Sequence, residues 1–479
     1  MADWRDLVAT TTDLCSLSAN ELLEGYARRA FSPVEVTRAV LGRMQALEPQ
    51  LHAFLRIDAE GALRAARTAE STWAQAGEKP ALCGVPVSVK DTIEMAGMPT
   101  TYGSLAFKNN QCDDAEIVRR LRAAGAVILG KTNTPEFALS PRTENRLGPS
   151  TSNPWGLTHT SGGSTGGGAA AVASGMGPLA VGTDSAGSIR LPAAYQGLYG
   201  LKPTFQRIPS VQRWRASPAR SHNGPITRTV RDAALMMATL GGPHAADPDT
   251  FLHPHPDYLS FAGGNVRGAR VAVSRTFGLP LKLETMQLRM IEQASALLKD
   301  LGCTLVQADP PVPQGSDELE PGVWAYSGDH YAAAEAMITD FWEKHQADLT
   351  DGSRKIYDAG RKALAWKYRG ILKRNRAFAE TMRHWFADYD FLLAPCCGSA
   401  PLLESKEVRD DRHGQFGLLA PFNHAYNPSA AVPFGRAEDG MPLAIQIVGR
   451  LGDDVGVLRL SGLIEAAQPW AHLWPALIK

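Results

Sequence analysis

Apolar residues recur at helical intervals near the start of the chain: Leu22, Leu23 and Tyr26, then Val36, Val40, Leu41, Met44 and Leu47. The spacing predicts two helices between residues 18 and 48, parted at Ser32-Pro33. Residues 52–57 alternate as a short strand, and an alanine-rich helix follows over 59–75. The apolar run 85–89 reads as a buried strand that delivers Lys90 at its end. Residues 118–124 and then 126–131 form a helix-then-strand unit. Downstream come a small-residue helix over 169–174, a buried strand over 179–181 and helices over 189–196 and 229–240. The last half alternates again: strand 270–275, helix 284–301, strand 304–308, helices 332–343 and 355–386, and strands 391–394 and 443–448. Strands alternating with helices predict an α/β protein with much of its sheet parallel. Two segments break the pattern. Residues 207–223 are polar and proline-punctuated and read as an exposed loop, a candidate wall of a substrate entrance, and 247–256 read as a connection.

Composition narrows the function classes. The 479 residues allow a large core, in one large domain or two. Lys and Arg total 49 and Asp and Glu also total 49, so no net field favours nucleic acid or an anionic membrane as partner. No apolar run approaches the ~20 residues of a membrane span. The first residues, MADWRDLVATTTDL, lack the basic-then-apolar layout of a secretory signal, so the expected location is cytoplasmic. Six cysteines (15, 83, 112, 303, 396, 397) lack CxxC spacing, and the twelve histidines lack HExxH spacing. Free thiols and no metal or other cofactor are the expectation, with Cys396-Cys397 read as core thiols and His159 and His222 as surface histidines.

One stretch stands apart. Residues 160–200 read TSGGSTGGGAAAVASGMGPLAVGTDSAGSIRLPAAYQGLYG, rich in glycine and poor in charge. A flexible linker does not flank alanine-rich helices and apolar strands. A phosphate-binding loop needs a lysine after its last glycine, and none follows Gly166, Gly167 or Gly168. GGSTGGGAAAVASG followed by GTDSAGSIRLPAA and GLYGLKPT resembles the core of the amidase signature hydrolases. Segments 133–137 (NTPEF), 152–155 (SNPW) and 442–449 (PLAIQIVG) look like the same family, whose likeness covers roughly residues 20–240 well and 390–465 loosely. The resemblance implies a single large domain over 1–479, α/β, with a mixed β-sheet flanked by helices on both faces. Its core would be 80–240 and 390–465, with a variable pocket region at 250–390.

The resemblance also assigns roles. Ser188 takes the place of the nucleophile. Ser164, attached through a cis peptide, bridges it to Lys90. An amide resists attack, so its cleavage needs a nucleophile, a proton shuttle and donors for the oxyanion. At a reference pKa near 10.4 only about one lysine in 2,500 is neutral at pH 7, and burial lowers that value. The turn Ser185, Ala186, Gly187, Ser188 offers backbone N–H groups as an oxyanion hole, with Ala186 in place of the glycine usual there. Asp184 and Arg190 read as charges that lock this turn. Thr165, Gly163, Arg213 and Trp214 are candidate substrate-binding residues. The expected activity is hydrolysis of small or aryl amides, with esters and carbamates (urethanes) open to the same chemistry, by a monomer or homodimer. Two other readings share the fold: a subunit of an amidotransferase, which carries SRYGLVAFASSLDQ-like sequence where this chain has RIPSVQRWRASPARSHN, and a catalytically silent binding protein.

Overall fold

The computed structural model describes residues 13–212, 220–251, 254–313, 344–361, 364–399, 401 and 416–478. The first two helices start where their caps dictate. Helix α1 (Ala19–Ala27) follows Ser18 and α2 (Pro33–Leu51) follows Ser32, each serine capping its helix with Glu21 or Glu35 in a reciprocal pair of hydrogen bonds. Strand β1 (Phe54–Ile57) and α3 (Ala59–Ala74) come next. Then β2 (Pro86–Lys90), α4 (Glu116–Ala123) and β3 (Val127–Thr132) form a parallel strand pair around one helix. A small hairpin, β4 (Ser152–Asn153) and β5 (Gly156–Thr160), leads into α5 (Gly166–Ala173), β6 (Leu179–Asp184), α6 (Arg190–Tyr195) and β7 (Tyr199–Lys202). The remainder is β8 (His222–Thr227), α7 (Val230–Leu240), β9 (Arg270–Val273), α8 (Thr285–Asp300), β10 (Thr304–Gln307), α9 (Asp351–Arg361), α10 (Ala365–Trp385), β11 (Phe391–Pro395), α11 (Pro421–His424), β12 (Ser429–Arg436), β13 (Pro442–Gly449) and α12 (Asp454–Ala467).

Among the described residues eleven strands form one mixed sheet in the order β1-β3-β2-β6-β8-β7-β12-β13-β11-β9-β10. Both faces are covered. In β6 the side chains of Leu179 and Val181 join one apolar cluster while Ala180 between them joins another. Valines 87 and 89 of β2 are fully buried, which explains an apolar run where a half-exposed strand would alternate. Parallel pairing is confined to β3-β2-β6 on one wing and β10-β9-β11 on the other. The other neighbours run antiparallel, so the sheet is less parallel than the alternation of strands and helices predicts.

Other differences have local causes. Residues 207–223 are not an exposed loop at the ends that are described: Arg207, Ile208, Arg220, His222 and Asn223 are buried, and Arg207 Nε lies 2.9 Å from Asp454. His222 opens β8 between β6 and β7 and is no surface histidine; His159 lies part-buried, 3.4 Å from Asp439. The helix expected over 355–386 is two helices, α9 and α10. The helix expected over 332–343 lies outside the described residues.

Candidate active site

The parallel pairing of β2 with β6 brings the carboxyl ends of two strands together, where ligands bind in open α/β sheets. Lys90 ends β2 and is fully buried. Its Nζ lies 2.6 Å from Ser164 Oγ, 2.9 Å from Thr183 Oγ1 and 3.5 Å from the Thr183 carbonyl. Burial pushes the Lys90 ammonium down to about 7, against the opposing pull of the Asp184 carboxylate. A lysine poised there exchanges its proton near neutrality, and the Ser164 hydroxyl can donate to it or accept from it. Thr183 is the partner that sequence reading missed; its only signal was a place beside Asp184 at the end of a strand parallel to that of Lys90.

Ser164 stands on the loop before α5, and the Gly163–Ser164 peptide is cis. Gly163 presses on the backbone of the neighbouring loop: a Cβ there would sit 2.7 Å from the Ser140 carbonyl oxygen, so only glycine lets the loop pass. Thr165 is fully buried; its hydroxyl donates to the Thr183 carbonyl at 3.3 Å and its methyl packs on Gly182. The Thr165 N–H donates to the Ser188 carbonyl at 3.1 Å, and this bond joins the two serine turns. Arg213 and Trp214 lie outside the described residues.

The turn carrying Ser188 is built around Asp184. Its carboxylate accepts from the Gly187 N–H at 2.7 Å and the Ile189 N–H at 3.2 Å, on either side of Ser188. Arg190 grips the same carboxylate through Nε and NH2, both at 3.0 Å, and both side chains are fully buried. Burial raises the Asp184 carboxyl, but Arg190, Lys202 and Asn423 together outweigh it and hold the group below the usual carboxylate range. The lock foreseen for Asp184 and Arg190 is therefore a set of direct hydrogen bonds. The expected row of converging donors needs one correction: the Gly187 N–H points at Asp184. Among the described residues the N–H groups of Ser185, Ala186 and Ser188 have no such acceptor. Ala186 is buried with its methyl against Ala420 and Phe416.

Two further lysines, Lys131 and Lys202, are fully buried. Lys131 Nζ lies 3.3 Å from Asp91 and donates to Thr100 Oγ1 at 2.9 Å. Lys202 donates to the carbonyls of Asn427 and Pro203, and burial, with the Arg190 charge next, pushes it well below the usual lysine range. Cys396 and Cys397 are buried thiols, as expected.

The large mixed sheet and the buried lysine–serine pair at its strand ends define a hydrolase class, and similarity to known proteins names it. The family model for amidases matches residues 35–458. The acylamidase of Rhodococcus erythropolis is 36% identical over 487 aligned residues, covering 98% of this chain and 98% of its own. A glutamyl-tRNA(Gln) amidotransferase subunit of Roseiflexus castenholzii is 33% identical, covering 97% of this chain and 98% of its own. The crystal structure of a bacterial aryl acylamidase of the amidase signature family superposes with a TM-score of 0.88 at 28% identity, over 96% of this chain and 98% of that one. The chain belongs to the amidase signature family. It is a hydrolase acting on carbon–nitrogen bonds, and no helix among its described residues is long and apolar enough to cross a membrane.

Proposed function

We propose that the protein hydrolyses small acyl or aryl amides through an acyl-enzyme on Ser188. The observation that carries this reading is the 2.6 Å contact between Ser164 and a buried Lys90 whose ammonium titrates near 7. Ser188 Oγ attacks the carbonyl carbon while its proton passes to Ser164, whose own proton goes to the neutral Lys90 amine. The N–H groups of Ser185, Ala186 and Ser188 are the donors for the oxyanion. On collapse, the Lys90 proton returns through Ser164 to the departing amine, and water then releases the acid by the same relay. The names of the Rhodococcus acylamidase and of the aryl acylamidase structure support an acylated amine or arylamine as substrate. Esters and urethanes fit the same sequence of steps, since serine attack and oxyanion are shared. Gly163 and Thr165 support the Ser164 loop from within, and Arg213 and Trp214 remain candidates for the substrate side. The likeness to the Roseiflexus amidotransferase favours a second reading, in which the same chemistry serves partner chains.

The test is turnover of an anilide, primary-amide and carbamate panel by the isolated chain. Ser188→Ala should abolish it without unfolding the protein, and a serine-directed phosphonate should label Ser188 alone. Labelling elsewhere, or a Ser188→Ala protein that stays active, would remove the assignment. Activity confined to assemblies with added partner chains would favour the second reading.

A further inference from the structure

Far from the signature stretch, the four-residue helix α11 places Asn423 fully buried against the Ser188 turn. Its Oδ1 accepts from Arg190 NH2 at 2.6 Å. Its Nδ2 donates to the Asp184 carbonyl at 2.8 Å and to Asp184 Oδ1 at 2.9 Å. The amide thus bridges both members of the ion pair that wraps Ser188, and it also fixes the backbone of Asp184. Only a group that accepts on one side and donates on the other can do this. A carboxylate would face Asp184 with like charge, and a hydroxyl is too short to span both.

The rest of the same segment closes around the turn. Arg190 NH1 donates to the Leu419 carbonyl at 2.9 Å and to Gln446 Oε1 at 2.9 Å. Leu419 and Phe416 pack over Gly187, the residue just before Ser188. Without Asn423 one lone pair of Asp184 Oδ1 and one guanidinium N–H lose their partners in a dry interior. The ion pair then keeps its own bonds but loses the bridge that ties it to the Asp184 backbone, and Ser188, held between the Gly187 and Ile189 N–H groups, shifts with it.

We infer that Asn423 is a positioning residue for the reaction: it holds Asp184 and Arg190 in the one arrangement that aims Ser188 and the adjacent N–H donors. The inference rests on the serine reading above and deepens it. It predicts a loss in kcat, because a misplaced nucleophile affects the reacting geometry and leaves substrate affinity alone.

The experiment compares wild type, Asn423→Asp and Asn423→Ala for amide turnover, melting temperature and phosphonate labelling rate. Asn423→Asp keeps the shape and the acceptor for Arg190 but removes the donor to Asp184. Both variants should lose roughly 30- to 100-fold in kcat, with KM changed less than about threefold, and labelling of Ser188 should slow in parallel. A folded Asn423→Asp protein with wild-type kcat, or a loss that appears only in KM, would overturn the inference. So would failure of both variants to fold, since the side chain would then serve the fold as a whole. Wild-type labelling separates the two readings. Label on Ser188 with an unaffected Asn423→Asp variant defeats the positioning role alone, whereas label on another residue defeats the serine assignment itself.

Discussion

At the scale of single residues, Lys90 sets function against stability. An unfolded lysine keeps its proton to about pH 10.4, whereas buried Lys90 releases it near 7. Between those values the unfolded chain binds the extra proton, so this group's contribution makes the protein more stable as pH rises. Lys90→Met has no proton to release. The stability difference between wild type and Lys90→Met should therefore shift toward wild type by up to about 1.4 kcal/mol per pH unit between pH 7 and 10. Comparing the two proteins cancels the contributions of Lys131 and Lys202. Urea unfolding across that range measures the slope, and a pH-independent difference would mean that Lys90 is protonated in the native state. Amide kcat/KM in wild type should rise through the same apparent pKa near 7, and Lys90→Arg should not restore it, because a guanidinium cannot accept the proton.

At the scale of elements, the Ser188 turn depends on a backbone shape that one glycine supplies. Gly187 has φ 130°, and a Cβ there would lie 2.6 Å from Leu419 Cδ1 and 2.8 Å from Leu419 Cβ. Gly187→Ala should cost about 1–3 kcal/mol of stability and lower turnover sharply, because the residue before Ser188 must leave its place. Adding Leu419→Ala should recover little of the stability and none of the activity, since it removes the Cδ1 contact but keeps Cβ at 2.8 Å and leaves the φ unchanged. A Gly187→Ala enzyme with normal melting temperature and turnover would refute this. The same turn explains what was legible in the sequence. Ser164, Ser188 and Lys90 lie in fixed motifs, and β2, β3 and β6 declare themselves as apolar runs. Strand β8 does not, because HNGPIT is made of turn formers; its place between β6 and β7 makes it a strand all the same. Strand β12 likewise carries Pro433 and Gly435. Asn423 gave no signal, since a lone amide has no pattern until the fold gives it partners.

At the scale of the whole molecule, distant parts of the chain are tied by a buried and a part-buried carboxylate. Asp232 on α7 accepts from the N–H groups of Ala19 and Asn20 at the start of α1, and Glu465 on α12 accepts from the Val230 N–H. Burial pushes Glu465 up to about 7; the Val230 bond opposes this and the Asp232 charge adds to it. Its folded value lies above the unfolded one, so the native state binds the extra proton and stability falls as pH rises toward 7. Glu465→Gln should gain melting temperature over wild type at pH 8 and gain little at pH 5; an equal gain at both would place the strain elsewhere. The contacts around Arg190 span similar lengths, with 229 residues to Leu419, 233 to Asn423 and 256 to Gln446. A ribosome adds about 5–20 residues per second. For roughly ten to fifty seconds of synthesis, a growing chain therefore carries every residue of the signature stretch without the segment that holds its turn in shape.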